Sequence, residues 1–209
     1  MNMSKVYSRL KHIELPSFTK RSGDLRSLLL KRISSRNFSK KTVTLKQLSE
    51  ILYYSAGIVR KSEGGLRRPY PSAGAKYPIE IYPLVLVNDD VQKGLYHYDP
   101  LSHSLDVLLV PLKYGDTSKI WKTQQWFKKA SIVLILTAVY TRTTEKYGEK
   151  GLPFPFIEAG HIGQNIYLLA QSMKIGCCAI GQFNEKPLCE LLDINIFEEY
   201  PIYYIALGN

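Results

Sequence analysis

Four short stretches hold the side chains best suited to chemistry. In Lys31-Arg32-Ile33-Ser34-Ser35-Arg36-Asn37-Phe38, Arg32 and Arg36 stand four residues apart. On a continued helix their guanidinium groups can converge, and each can grip a phosphate bidentately with a serine hydroxyl beside them. Pro71-Ser72-Ala73-Gly74-Ala75 carries small side chains and free backbone groups that a planar ligand can approach closely. Lys146-Tyr147-Gly148 pairs an amine with a phenol, either of which burial or a neighbouring charge can tune into an acid or base. In Glu158-Ala159-Gly160-His161-Ile162-Gly163-Gln164-Asn165, His161, Gln164 and Asn165 fall on one helical face, where they can meet a ligand or a partner helix. Taken singly, each stretch has an ordinary structural counterpart: a solvated basic helix end, a Pro/Gly turn, an exposed loop pair, an interface histidine. No HExxH, no Ser/His/Asp set and no spaced carboxylate pair occurs, which argues against a hydrolase. Cys177, Cys178 and Cys189 lack CxxC spacing and a nearby histidine pair, so no metal site is expected.

The elements that must carry these residues are readable in part. Asp24 can cap a helix through Leu25, Leu28, Leu29 and Ile33. Thr44 and Gln47 form a capping box for a helix lined by Leu45, Leu48, Ile51 and Leu52 and ended by Gly57. Arg60 to Pro78, with three Pro and three Gly, reads as loop. Ile79 to Val87 reads as a strand, followed by a hairpin from Leu95–Tyr98 to Leu105–Val110 turning at Asp99-Pro100. Trp121 to Lys129 reads as a short helix, and Ile132 to Val139 as a strand buried on both faces. Glu158 to Lys174 is the longest helix, ended by Gly176. Its Gly160 and Gly163 would let another helix approach closely. Cys177–Ile180 and Ile202–Leu207 read as strands, with an Asn184-capped helix through Leu188, Leu191 and Leu192 between them. The order is mixed α and β without regular βαβ alternation, and neither GxGxxG nor GxxxxGK[ST] is present, so Rossmann and P-loop sites are not expected.

With 209 residues, 45% hydrophobic and 22% charged, the chain is long enough for one domain with a sizeable core. Residues 1–20 read as a basic N-terminal arm and 21–209 as the domain. No signal-peptide core and no membrane-length apolar run appears, and the thiols fit a reducing compartment, so a cytoplasmic protein without membrane partners is expected. Twenty-eight Lys+Arg against eighteen Asp+Glu give a net charge of +10. That charge calls for an anionic partner, but no RNA-binding aromatic signature or zinc-finger spacing accompanies it, so nucleic acid is not the expected one.

Read in order, the stretches resemble the nitroreductase-like flavoproteins, and within them the SagB-type dehydrogenases, or azoline oxidases. The resemblance rests on 31–38, on Pro71-Ser72-Ala73-Gly74-Ala75-Lys76-Tyr77-Pro78-Ile79-Glu80-Ile81-Tyr82, and on Gly94-Leu95-Tyr96-His97-Tyr98-Asp99-Pro100. It continues through Arg142 with Lys146-Tyr147-Gly148, through 158–165, and through Ile202-Tyr203-Tyr204-Ile205-Ala206-Leu207-Gly208, covering Leu25 to Gly208. It implies an α+β fold with a central, mainly antiparallel sheet wrapped by helices, and a homodimer with FMN at the subunit interface. Arg32, Ser34 and Arg36 would then hold the FMN phosphate and ribityl chain. Pro71, Ser72, Ala73 and Gly74 would lie along the isoalloxazine, and Gly181 near its reactive edge.

Lys146 and Tyr147 match the catalytic pair of azoline oxidases. The implied reaction removes a proton next to a carbonyl of a thiazoline or oxazoline in a ribosomally made peptide while a hydride passes to the flavin, leaving an azole. Such enzymes usually work beside a cyclodehydratase. Two other functions remain open at this level: an NAD(P)H oxidoreductase acting on quinones or nitroaromatics, in which Lys146 and Tyr147 are structural, and a flavin-free basic binding protein on the same fold.

Overall fold

Alternating apolar residues on β-branched and aromatic runs build a seven-stranded sheet that organises the molecule. The structure is a computed structural model. It describes residues 5, 7, 9–17, 24–39, 42–62, 65–113, 115, 117, 119–120, 126 and 129–208. The strands are β1 (His12–Glu14), β4 (Ile79–Val85), β5 (Gly94–Asp99), β6 (Ser104–Leu109), β7 (Ile132–Val139), β8 (Gly176–Ile180) and β9 (Glu199–Gly208). They lie in the order β1-β6-β5-β4-β7-β9-β8, with every neighbouring pair antiparallel. A separate two-stranded ribbon pairs β2 (Arg60–Ser62) with β3 (Gly65–Arg67). The helices are α1 (Leu25–Lys31), α2 (Leu45–Ala56), α3 (Thr141–Tyr147), α4 (Phe154–Ser172) and α5 (Glu185–Leu192).

The near-continuous apolar run of β7 follows from its place at the centre of a sheet covered on both faces. Ile132, Leu134, Leu136 and Ala138 face α2 and α4, where Leu48, Ile51, Leu52, Ile162 and Ile166 complete one core. Val133 and Ile135 point the other way, joining Tyr82, Leu84, Tyr204, Leu188 and Leu192 in a second core beneath α5. Side chains of this kind contribute about 1.5–3 kcal/mol each on full burial, so β4, β7 and β9 form the stable platform from which the remaining parts are hung.

The expected strands and the α2 capping box are present, with Thr44 and Gln47 satisfying each other's backbone as read from the sequence. Asp24 caps α1, accepting from Arg26 N. The departures fall where local signals compete with tertiary pairing. α1 ends at Lys31, so Arg32 and Arg36 sit on extended chain, which runs beside β8 with Ser35 N donating to Cys177 O. The 60–78 segment is not loop throughout, since it contains the β2–β3 ribbon and a 3-10 turn at Ala73–Ala75. α4 begins at Phe154, four residues earlier than expected, because Pro153 and Pro155 sit where a first turn tolerates proline. Asn184 precedes α5, but its side chain donates to Lys119 O rather than capping the helix. The helix expected over Trp121 to Lys129 lies almost wholly outside the described residues. No helix among the described residues is long and apolar enough to cross a membrane.

Candidate active site

The 71–77 segment has a backbone that few sequences adopt. Gly74, Ala75 and Tyr77 all have φ in the left-handed region, at +59°, +53° and +47°. For the two residues with side chains this conformation costs on the order of 1–3 kcal/mol each, so the surroundings must over-determine it. Glu158, on the second turn of α4, accepts from Ser72 Oγ at 2.8 Å and from Ala73 N at 3.2 Å. Ser72 Oγ accepts in turn from Tyr77 N at 2.8 Å. Arg142 of α3 donates to Tyr77 O at 2.9 Å and pairs through its other nitrogen with Glu80 of β4.

Glu80 belongs to a buried charge relay. His97 of β5, 0% exposed, places Nε2 2.9 Å from Glu80 and Nδ1 3.2 Å from Asp106 of β6. Burial alone would lower the imidazole's pKa, but its hydrogen bonds to Asp106 and Glu80 more than offset this and raise it. Burial would likewise raise the Glu80 carboxyl, yet His97 and Arg142 together hold it down at about 2. Three strands and α3 are thus tied at one point, and α3 carries the next functional pair.

Lys146 and Tyr147 occupy the last turn of α3 rather than a loop. Their polar ends meet at Gly74: a Cβ added there would fall 2.7 Å from Tyr147 Oη and 2.8 Å from Lys146 Nζ. Lys146 Nζ also lies 5.3 Å from the centre of the Tyr147 ring. Glycine at 74 suits the left-handed backbone angle, and a side chain there would have to displace the ends of Lys146 and Tyr147.

A second group gathers at the other end of α4. Ser34 Oγ lies 3.0 Å from Tyr167 Oη, which also accepts from Ala179 N of β8 at 2.7 Å. The Arg32 guanidinium stands 5.3 Å over the Tyr167 ring, and Arg36 lies 5.8 Å from that of Trp126. Arg36 also reaches Cys178, whose thiol burial pushes up and Arg36 partly draws back. Gly181 follows directly after β8 and is exposed, with open space where a Cβ would stand. Glu158 and Tyr167 are nine residues apart on α4, so the two groups are separated by about 13 Å along its axis.

The family profile described as "Nitroreductase family" matches residues 29–209. The chain belongs to the nitroreductase family. The Methanocaldococcus jannaschii nitroreductase-family protein MJ1384 is 37% identical over 186 residues, covering 88% of this chain and 90% of its own. The microcin B17-processing protein McbC of Escherichia coli is 28% identical over 122 residues, 54% of this chain and 43% of McbC. A Ralstonia eutropha nitroreductase crystal structure superposes with a TM-score of 0.80 at 30% identity, covering 98% of this chain and 91% of that one. A chain of the E. coli microcin synthetase McbBCD complex with truncated pro-MccB17 bound shares the fold, with a TM-score of 0.74 at 21% identity over 99% of this chain and 78% of that one.

As in other nitroreductase-family proteins, the chain is an FMN-dependent oxidoreductase, close to the SagB type within the family. FMN dependence removes the flavin-free binding protein from the possible functions. The residue types suit the cofactor, since Arg32, Ser34 and Arg36 offer guanidinium and hydroxyl groups of the kind a phosphate takes, but the helical convergence expected of Arg32 and Arg36 is absent because α1 ends at Lys31 and the two guanidinium groups stand over different rings. Of the residues singled out from the sequence, Pro71, Ser72, Ala73 and Gly74 lie together with Lys146 and Tyr147. Arg32, Ser34, Arg36 and Gly181 lie in the other group. His161 and Gln164 are exposed. The expectation that Gly163 opens α4 to another helix fails, since a Cβ there would come within 2.7 Å of Tyr203 in the sheet. Gly160 instead faces open space.

The parts not read from the sequence are Glu158, Arg142, the Glu80–His97–Asp106 relay and Tyr167. Glu158, His97 and Arg142 stood in quoted stretches, but their partners are distant in the chain. Tyr167 had only its place on α4 as a signal.

Proposed function

We propose that this protein dehydrogenates a thiazoline or oxazoline ring of a ribosomally made peptide to the azole, acting as a homodimer. The observation that carries the proposal is the meeting of Lys146 Nζ and Tyr147 Oη over Gly74, next to the loop assigned to the isoalloxazine. FMN, when bound, supplies the two-electron acceptor for the hydride. Lys146 and Tyr147 handle the proton leaving the ring carbon next to the carbonyl. Pro71 to Gly74 orient the ring system, and Arg32, Ser34 and Arg36 hold the phosphate. McbC, which processes microcin B17, supports this reading. The McbBCD complex makes a cyclodehydratase a reasonable companion. Residues 21–209 are taken as the FMN-binding domain, with 1–20 an arm, of which His12–Glu14 lies along β6. Three free, buried cysteines suit a cytoplasmic setting.

The dimer is supported by an apolar surface lacking cover in a single chain. α1 buries none of its residues and exposes Leu25, Leu29 and Leu30, the last at 88%. Leu152, Phe156 and Ile157 are exposed at the start of α4, and Gly160 makes a notch one turn further on. Exposed apolar side chains of this kind are what an interface between copies would cover.

The test compares Lys146→Ala and Tyr147→Phe with the parent protein on a thiazoline peptide. Each should retain flavin and lose roughly a hundred- to ten-thousandfold in azole formation, the contribution of a positioned acid or base. A second reading, an NAD(P)H oxidoreductase of quinones or nitroaromatics, is favoured by the more extensive match to MJ1384. Under it the same variants reduce a quinone at the parent rate.

A further inference from the structure

The bonding of Glu158 is one-sided. Oε1 accepts both bonds from the loop, at 2.8 Å from Ser72 Oγ and 3.2 Å from Ala73 N, while Oε2 is buried without a hydrogen-bond partner among the described residues. A carboxylate spreads its charge over both oxygens, so a buried ion with one oxygen bare gives up solvation that it does not regain. A neutral carboxyl loses less: its carbonyl oxygen takes the two donors, and its proton sits on the other oxygen. Burial is the strongest influence and favours the neutral form; the bonds from Ser72 and Ala73 and, last, the charge of Arg68 draw it back toward the ion, and the pKa stands at about 7. The buried Tyr70 phenol, which Glu158 also influences, is held up at about 12 and stays neutral. His161, on the next turn of α4, is exposed.

What Glu158 holds is the turn that meets Lys146 and Tyr147. Ser72 Oγ, while donating to Glu158, accepts from Tyr77 N at 2.8 Å and so closes the turn on either side of Gly74. The Lys146 and Tyr147 side chains face that turn from α3. Its far end is held independently, by Arg142 on Tyr77 O. A displacement of about 1 Å beside a reacting centre is enough to cost a large part of its rate.

We propose that Glu158 is a positioning residue that works as a neutral acid: protonated, it clamps Ser72 and Ala73 and sets Gly74 against Lys146 and Tyr147; ionised, it releases that end of the turn, and the pair loses its alignment with the ring to be oxidised. This rests on the dehydrogenase reading above for what the turn serves, and it adds a second proton, away from the reacting atoms, on which turnover depends. The sign follows from the linkage: the proton belongs to the clamped form and is lost as pH rises through about 7, so the turn is held at lower pH and released at higher pH.

The experiment reads the clamp directly, on the FMN-loaded protein. Hydrogen exchange of the Ala73 and Tyr77 amides, corrected for its intrinsic pH dependence, is followed by NMR on both sides of neutrality. In the parent, protection of both amides should hold up to about pH 7 and then fall roughly tenfold per pH unit. In Glu158→Gln, which keeps the Oε1 acceptor and cannot ionise, protection should stay level. Azole formation gives the second readout: kcat of Glu158→Gln divided by that of the parent should climb roughly tenfold per pH unit above 7, with KM and flavin content steady. Taking the ratio cancels the titration of Lys146 and Tyr147 themselves. Protection that is level or rises with pH in the parent overturns the proposal, whether or not the variant folds. The same fall in Glu158→Gln as in the parent overturns it too, by assigning the titration to another group. A kcat ratio that is flat with pH while exchange behaves as expected overturns the positioning role. Failure of the dehydrogenase reading shows differently: exchange behaves as expected, but the parent forms no azole from a thiazoline peptide at any pH.

Discussion

Glu158 is the residue on which the geometry of the 71–77 segment most depends. It is 2% exposed, its Oε1 takes both bonds from the loop, and its Oε2 has no hydrogen-bond partner among the described residues. Burial raises its pKa, the bonds from Ser72 and Ala73 lower it, and the balance stands at about 7. The folded value thus lies above that of an unfolded glutamate. Its contribution to stability is complete below about pH 4.5 and is lost as pH rises through about 7. Glu158→Gln keeps the Oε1 acceptor and abolishes the titration. Melting temperature should fall between pH 5 and 7.5 in the parent and be flatter in the variant, as followed by scanning calorimetry; parallel curves would show that the carboxyl does not titrate there. Glu158 stood in a stretch already singled out, but only as the start of a helix. Its partner Ser72 is 86 positions away, and nothing local to either residue discloses the bond. The Lys146–Tyr147 pair was more legible, because two adjacent functional side chains make a signal that needs no distant partner.

At the scale of elements, α3 is a short helix whose position is set by one side chain. Arg142 ties it to Tyr77 O and to Glu80, and Glu80 is itself held through His97. Removing Arg142 leaves His97 as the remaining partner of the buried Glu80 carboxylate among the described residues, so Arg142→Met should destabilise the fold by about 1–3 kcal/mol. Adding Glu80→Gln should recover part of that loss. Urea denaturation of the single and double variants measures both, and strict additivity would separate the two residues. Secondary structure was readable wherever a local pattern had no rival, as in the Thr44 capping box and the apolar run of β7. It was not readable at Arg32, where no Gly or Pro marks the stop and the chain is drawn straight by pairing with Cys177. The β2–β3 ribbon was hidden for a related reason: three-residue strands leave too little alternation to outweigh the surrounding Gly and Pro.

At the scale of the whole molecule, the proposed dimer is expected to cover the exposed leucines of α1 and the Phe156–Gly160 face of α4. Gly160→Leu fills the notch without touching the chain's own core, and Leu30→Asp places a charge among the exposed leucines of α1. Both variants should fold, sediment as monomers at concentrations where the parent is a dimer, and bind FMN more weakly. Unchanged sedimentation of both would remove this surface from the interface. The sequence placed both small residues, Gly160 and Gly163, in one role. The structure divides them: Gly163 packs against Tyr203 of the sheet, whereas Gly160, one turn earlier, looks outward.

The extended segment from Arg32 to Phe38 has a second effect through its position. β8 ends the sheet, and the bond from Ser35 N to Cys177 O covers part of its outer edge. An uncovered edge strand of this composition, Gly-Cys-Cys-Ala-Ile, is a template for sheet-to-sheet association between molecules. Cofactor loading should therefore act as a guard against aggregation, by keeping in place the segment that closes the edge. Flavin-stripped protein warmed below its melting temperature should scatter light sooner than the loaded form, and restored FMN should delay it. Equal scattering from the two forms would mean that the edge stays closed without the cofactor.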